Sequence, residues 1–426
     1  MQILLLGAGG FIGRHILSRL LMAGHQLTAV VRQTGALAEA FPQARFVERN
    51  LAQATLATEW LSLLAGVDVI VNAAGLLRGP DMRAVHVDMP VALLAAARQA
   101  GVKRVVLLSA ISARPDVLTD YSQTKLAGED VLRGSGVSWV ILRPSLVYGE
   151  GSYGGTSLLR GLAGIPLLMP LPGTGEFHFS PIHVGDLAET VKLVCEDERF
   201  VSELLEPAGP ETLSLRELLQ RYRNWLGFGR VPFLPIPMPV MRLLGRVGDL
   251  TGDGPVSSNS LRQMVAGNGG DGTAFAHAIG FAPRSLTDAL LAHPAQVQDR
   301  WHARLFFMAP LLKAVLVLMW LASALLGLWF GAAQTEAVVA GLGLPTGWAD
   351  PLRIGSSLLD VGIAALLLLD RKARWSTPVQ LAVVLGYTFV IGLAAPGLWL
   401  DPLGPLMKNI PMLLVIAVHG AIGDRR

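Results

Sequence analysis

Charge is distributed so unevenly along this chain that it cannot be one ordinary soluble domain. Residues 305–426 carry 14 Asp, Glu, Lys or Arg in 122 positions, against 53 in the first 304. A hydrocarbon core about 30 Å thick takes about 20 consecutive apolar residues in helical form. Residues 305–331 supply 27 with one charge, Lys313. Residues 354–369, 379–400 and about 406–423 are three further candidates, so four spans are expected. Asp360, inside the second, is costly in lipid and should face the bundle interior. It serves either a quinone or proton path or, as the simpler reading, a local pairing with Tyr387 or His419. Lys313 and Lys408 stand near span ends, where long side chains snorkel outward.

The first 230 residues follow a different period. Short apolar runs at 3–6, 27–31, 67–71, 105–108 and 137–142 alternate with helix-length stretches such as 11–23 and 91–100. Strands alternating with helices predict a doubly wound parallel sheet, because parallel neighbours need crossover connections that cover both faces. Residues 150–230 loosen into Gly- and Pro-rich segments with one helical run at 186–195, a smaller substrate-side lobe. A Pro-studded stretch from Val231 to Pro239 then opens a linker and membrane-proximal segment, 231–304, with no legible chemistry. The expected division is therefore 1–230, 231–304 and 305–426.

Composition narrows the function. A net charge of +3 on 426 residues, with no basic run carrying interleaved aromatics, disfavours nucleic acid as a partner. The single cysteine, Cys195, excludes an internal disulfide and any multi-cysteine metal site. No metal centre is expected, redox chemistry would need a bound cofactor, and Cys195 on an apolar helix reads as an inert core thiol. The opening apolar run is too short for a signal segment and lacks a basic flank, so it reads as a first strand. Positive clusters at Arg300 and Arg304, at Arg371, Lys372 and Arg374, and at Arg425 and Arg426 fall on one side of four spans. The positive-inside rule makes that side cytoplasmic. The expectation is a multi-pass protein of the inner (cytoplasmic) membrane, with its N-terminal domain and C-terminus in the cytoplasm.

Gly7-Ala8-Gly9-Gly10-Phe11-Ile12-Gly13 directly follows the first strand and opens the first helix. Gly7 permits the tight turn, Gly10 lets backbone approach a pyrophosphate, Gly13 allows close packing, and the helix N-terminus attracts phosphate. Gly9, Phe11 and Ile12 complete the expected cradle. Arg32 closes the second strand, where an acidic residue would take the ribose hydroxyl of NAD(H), so NADP(H) is the expected cofactor. Asn72-Ala73-Ala74-Gly75, after the third apolar run, offers small residues beside the ribose. Tyr121 and Lys125 lie four residues apart on one helix face, and an ammonium near a phenol favours the phenolate that can exchange a proton while hydride moves.

These residues resemble the short-chain dehydrogenase/reductase superfamily, in its atypical, extended-like branch related to NAD(P)-dependent epimerase/dehydratases and to the NADPH-binding accessory subunit of mitochondrial complex I. The likeness covers about residues 1–230 and includes Ala100-Gly101-Val102-Lys103-Arg104, Tyr121-Ser122-Gln123-Thr124-Lys125, Leu142-Arg143-Pro144-Ser145-Leu146-Val147-Tyr148-Gly149 and Ser180-Pro181-Ile182-His183-Val184-Gly185-Asp186. It implies that Tyr121 is the acid/base, that Lys125 binds the nicotinamide ribose, that Pro144 and Val147 lie near the nicotinamide, and that Asn50 and Leu51 flank the adenine. The family's catalytic hydroxyl aligns best with Ile111. Ser109 and Ser112 are the nearest candidates, His86 stands where the family often has Asn, and Asn50 where it often has Asp. His183 and Asp186 read as a turn and helix cap. The last third resembles DoxX-like four-helix membrane domains, including Asp401-Pro402-Leu403-Gly404-Pro405 and Lys408-Asn409-Ile410-Pro411.

The expected protein is thus a membrane-tethered NADPH-binding reductase. It would act on a small carbonyl, enone, quinone or sugar-like substrate of lipophilic character, in contact with the lipid bilayer. The alternatives are a cofactor-binding assembly or sensor protein without turnover, and a redox-neutral epimerase or dehydratase. Nothing in the sequence identifies a protein partner.

Overall fold

The apolar runs of the first half form strands because Val, Ile and Leu fill a pleated surface buried on both faces. In a computed structural model describing residues 1–151, 154–251, 257–402 and 404–423, they are β1 (Gln2–Leu6), β2 (Gln26–Val31), β3 (Arg45–Glu48), β4 (Val69–Asn72), β5 (Arg104–Leu108) and β6 (Trp139–Leu142). Later in the chain come the short strands β7 (Val147–Tyr148), β8 (Met169–Pro172), β9 (His178–Phe179), β10 (Ile182–His183), β11 (Glu203–Leu205), β12 (Leu213–Ser214) and β13 (Phe233–Ile236). Between and after them lie helices α1 (Phe11–Met22), α2 (Gly35–Ala40), α3 (Thr58–Leu64), α4 (Met89–Ala100), α5 (Asp120–Arg133), α6 (Gly155–Ala163), α7 (Val184–Glu196) and α8 (Leu215–Trp225).

Seven parallel strands order as β11-β6-β5-β4-β1-β2-β3. The order reverses between β1 and β4, and that switch point opens the crevice where such sheets bind ligands, at the carboxyl ends of the strands. One face packs on α1 and α7 through Ile16, Leu17, Leu20, Leu187 and Val191. The other packs on α3 and α4 through Trp60, Leu64, Leu93 and Ala97. A third cluster, around Leu171, Phe179, Leu218 and Tyr222, holds the lobe.

The stretch 231–304 differs from the expected linker: it is folded into the first unit, which runs from Met1 to Ala303. β13 pairs in parallel with β8. Helices α9 (Met238–Thr251), α10 (Ser258–Ala266), α11 (Gly272–Ile279) and α12 (Leu286–Ala292) follow. Phe275 and Ile279 join the core beside the sheet, and Leu286 and Ala289 join that of the lobe. Its apolar residues are therefore core positions distributed between two clusters.

The second unit, Arg304–Arg426, is helical. It takes in the greater part of α13 (Val297–Phe330), then α14 (Ala332–Gly341), α15 (Ala349–Leu369), α16 (Ser376–Ala394) and α17 (Asn409–Ala421). Among the described residues three helices are long and apolar enough to cross a membrane. The fourth expected span contracts to α17, whose 13 residues reach about 20 Å. Leu403, Arg425 and Arg426 lie outside the described residues. Asp360 is buried and accepts hydrogen bonds from Ser323 Oγ at 2.6 Å and Tyr387 OH at 3.2 Å, the local pairing expected with Tyr387 and a second hydroxyl beside it. Lys313 reaches back to the Asp370 carbonyl at 3.3 Å.

Candidate active site

The phosphate turn is built by backbone. Gly7 has φ +79°, and a Cβ there would stand 2.8 Å from Ala73 and Ala74 backbone atoms, while one at Gly13 would collide with the Gly7 carbonyl. The Gly10 N–H donates to Gly7 O at 3.0 Å, closing the turn. Gly10 caps α1 without a side-chain hydrogen bond. The first N–H groups of a 12-residue helix are thus directed at the switch point, with positive dipole character and no competing cap. Gly9 and Ile12 belong to the same turn, and a Cβ at Gly149 would meet the Phe11 ring at 3.2 Å. The residues present fit a dinucleotide pyrophosphate.

Arg32 is exposed directly after β2, and Asn50 is exposed after β3 with Leu51 half-buried beside it. Asn50 Oδ1 accepts from Ala52 N at 3.2 Å, fixing that turn. Asn72 is buried, and its Oδ1 accepts from Ala74 N at 3.1 Å, so the Ala73–Gly75 corner is set by its own side chain. Pro144 is buried and its carbonyl accepts from Ile111 N at 3.1 Å. Val147 pairs with Ile182 of β10.

Tyr121 and Lys125 ride on α5, whose N-cap Thr119 accepts from Ser122 N. Lys125 is buried, with Nζ donating to Leu108 O at 2.9 Å and Ala74 O at 3.4 Å. Burial brings its pKa down to about 8, and burial pushes the Tyr121 phenol up to about 12. The expected lowering of the phenol is therefore not produced by the protein's own groups, because the ammonium is held by two carbonyls.

His86 is the site residue whose role the sequence left open. It lies in a π-helical turn, Ala84–Asp88, a rare geometry often found at functional sites. Its Nε2 accepts from Leu76 N at 3.0 Å, so the proton sits on Nδ1, 2.9 Å from Thr124 Oγ1. Its ring meets that of Tyr121 edge to face at 5.9 Å, and its carbonyl lies where a Cβ on Gly128 would be. Burial, aided by the Lys125 charge, lowers its pKa to about 3, so it is neutral at all working pH values.

The two serine candidates separate. Ser109 donates to the fully buried Glu129, which also binds Arg143 through two bonds of 2.8 and 2.7 Å and Arg133 at 2.8 Å. Ser109 is thus part of an ionic knot under α5, whereas Ser112 is buried in the following loop. His183 caps α7, its Nδ1 accepting from Gly185 N at 3.1 Å, whereas Asp186, inside the first turn, makes a long-range ion pair with Arg284 at 2.8 Å rather than a cap. Burial pushes the Cys195 thiol up to about 12, leaving it inert. Among the described residues no cluster could hold a metal ion.

Comparison with known proteins agrees with both halves. Residues 7–161 match the NAD(P)H-binding family, and residues 317–417 match the DoxX-like family. A ceramide reductase of Caulobacter vibrioides is 33% identical over 194 residues, covering 44% of this chain and 59% of that protein, so the chain spans about three fifths of that relative's length. The mitochondrial protein fmp52 of Aspergillus niger is 30% identical over 177 residues, 38% of this chain and 75% of that protein. A nucleoside-diphosphate-sugar epimerase of Staphylococcus aureus superposes with a TM-score of 0.57 at 16% identity, over 68% of this chain and 99% of its own, which establishes the shared fold.

Proposed function

This chain belongs to the NAD(P)H-binding family and carries a DoxX-like membrane domain, and from that premise we propose that it is a membrane-anchored reductase using NADPH. One observation carries the reading. The Asn72–Gly75 corner that backs the phosphate turn is the same corner that receives Lys125 Nζ, at the Ala74 carbonyl. Cofactor end and proton-transfer helix are thus joined through one short turn.

NADPH, when bound, supplies the hydride. The protein's part is binding, orientation and a proton. Gly7, Gly9, Gly10 and Gly13 with Phe11 and Ile12 would take the pyrophosphate, Arg32 the 2′-phosphate, and Asn50 and Leu51 the adenine. Ala73, Ala74, Gly75, Lys125, Pro144 and Val147 would enclose the nicotinamide riboside. Tyr121 would give its phenolic proton to the oxygen of a carbonyl, enone, quinone or sugar-like substrate. Lys125, freed from its carbonyl partners by the ribose hydroxyls, would stabilise the phenolate left behind. Ser112 would then be the hydroxyl left to polarise substrate, since Ser109 serves Glu129. Tethering raises the effective concentration of a lipophilic substrate held in the bilayer. Arg300 and Arg304 before the first span, and Arg371, Lys372 and Arg374 after the second, support a cytoplasmic side for the sheet domain in an inner membrane.

A second reading, a nucleotide-binding assembly protein without turnover, draws on the engagement of Ser109 by Glu129. The test is NADPH oxidation by the detergent-solubilised full chain across quinones, ketones and enones, with Tyr121→Phe alongside. The reductase reading expects turnover with at least one class and a loss of about 10²–10⁴-fold in the variant, its NADPH affinity kept. Tight NADPH binding without oxidation anywhere in the panel would favour the second reading.

A further inference from the structure

Residues 257–271 form a strap across the carboxyl end of the sheet. Gln263 Nε2 donates to Thr119 Oγ1 at 2.7 Å and Ser122 Oγ at 2.8 Å, on the helix that carries Tyr121. Asn268 N donates to His178 O at 2.9 Å and its carbonyl accepts from Ser180 N at 3.2 Å, while Ser145 Oγ also donates to Asn268 O. Arg114, from the loop between β5 and α5, donates through Nη2 to Ala266 O at 3.3 Å. The strap is therefore fastened to the loop between β5 and α5, to the start of α5, to the loop after β6 and to the stretch from β9 to β10. Between strap and loops lies an open cavity of about 260 Å³, bordered by Arg114, Glu176, His178, Ala266 and Gly267.

We propose that this cavity seats a zwitterionic group, one carrying an oxyanion and an ammonium a few ångströms apart, and that Arg114 and Glu176 determine its specificity. Only in naming that group the head of the substrate does the proposal rest on the reductase reading. Arg114 spends one Nη on a carbonyl, and although its Nε is buried, the second Nη is left for charge-assisted bonds to an oxyanion. Opposite in sign are the Glu176 carboxylate, in no ion pair among the described residues, and the C-terminal end of α10 at Ala266, whose carbonyls carry negative dipole character. Both favour an ammonium. A bare anion in the cavity would meet Glu176 and the helix end, and a bare cation would meet Arg114. A neutral hydroxylated group would forgo the charge-assisted bonds on both sides. A group bearing both charges is the chemistry that satisfies the whole wall. The Arg114 carbonyl accepts from Gln123 Nε2 at 3.3 Å, two residues past Tyr121, so a head bound here shares a loop with the reacting end.

The test titrates the full chain in a nonionic detergent with phosphoethanolamine, inorganic phosphate, ethanolamine and myo-inositol, in wild type, Arg114→Gln and Glu176→Gln. Phosphoethanolamine is expected to bind most tightly and to lose about tenfold or more in each variant. Phosphate alone is expected to weaken with Arg114→Gln and to strengthen with Glu176→Gln. Preferential phosphate binding, preferential myo-inositol binding, or phosphoethanolamine affinities equal in all three proteins would each overturn the proposal. Within the expected result, tighter binding of dihexanoylphosphatidylethanolamine than of phosphoethanolamine assigns the head to a lipid, and equal affinity assigns it to a soluble molecule. NADPH is titrated in parallel and is expected to bind all three proteins alike, which also reports that the variants are folded. Wild-type protein that binds NADPH but not phosphoethanolamine overturns the cavity proposal alone, whereas wild-type protein that fails to bind NADPH overturns the reductase reading and leaves the cavity to its own titration.

Discussion

The two ends of the crevice are made by different means. The phosphate end is local: seven consecutive residues, most of them glycine, put backbone N–H groups and a helix terminus where a pyrophosphate would lie, and no side chain is needed. The proton-transfer end is assembled at long range. Tyr121 and Lys125 derive their setting from Leu108, Ala74 and His86, and their helix is anchored by Glu129 to Arg143 and by Gln263 to the strap. A turn of this kind is insensitive to its surroundings, whereas a buried ammonium and phenol are defined by them.

If that contrast holds, the largest single loss of stability comes from the long-range end. Glu129→Gln leaves Arg143 and Arg133 beside a neutral amide in a fully buried place. Breaking one side of a buried ionic cluster costs about 3–5 kcal/mol, read as a lower melting temperature of the full chain. An unchanged melting temperature would show the knot to be dispensable and the contrast overdrawn.

At the phosphate end the expected damage is confined to cofactor binding. Gly13→Ala places a methyl group against the Gly7 carbonyl, and such overpacking costs about 1–3 kcal/mol, so NADPH affinity should fall about 10–100-fold in a titration. Affinity within twofold of wild type would mean that the turn yields more freely than its geometry allows.

The pH profile sharpens the comparison further. Lys125 is charged below its folded pKa of about 8, so turnover that needs the ammonium is full below that value and falls about tenfold per pH unit above it. Stability moves the other way. The folded pKa lies below the ordinary 10.5, so the unfolded chain binds more protons between about 8 and 10.5, and folding gains as pH rises through that window. A falling rate with a rising melting temperature is the expected pair, while both falling together would make the rate loss a matter of unfolding.

The smallest expected effect is at Arg32. Arg32→Ser removes one exposed guanidinium and should weaken NADPH by about tenfold while leaving NADH unchanged. Equal effects on both cofactors would remove Arg32 from the 2′-phosphate site.

What could be read in the sequence follows the same division. Gly7–Gly13 was legible because a turn with positive φ at Gly7 and no room for a Cβ at Gly13 demands glycine there, and the central strands because their runs are almost wholly apolar. β3 and β11 were not expected: Arg45–Glu48 is a charged edge strand and Glu203–Leu205 is three residues long, so neither shows a period. The setting of Ser109 was illegible because its partner, Glu129, lies 20 residues away on the buried face of α5. The strap was illegible because its content is contacts, with Gln263 and Asn268 meeting partners more than 80 residues earlier. In the last third, hydropathy located the apolar segments but not their ends, as α17 shows. Tyr387 could be named beforehand as one of two candidate partners of Asp360 because a carboxyl in a span must find partners, whereas Ser323 was not foreseen.

The most direct test of hydride transfer is a single turnover with NADPH deuterated at the nicotinamide C4, using the substrate class found in the oxidation panel and following the label by mass spectrometry. Net reduction through Tyr121 predicts deuterium in a reduced product, one equivalent of oxidised cofactor, and neither from Tyr121→Phe although it still binds NADPH. Label that stays wholly on the cofactor, with NADPH bound and every substrate recovered unchanged, would contradict it.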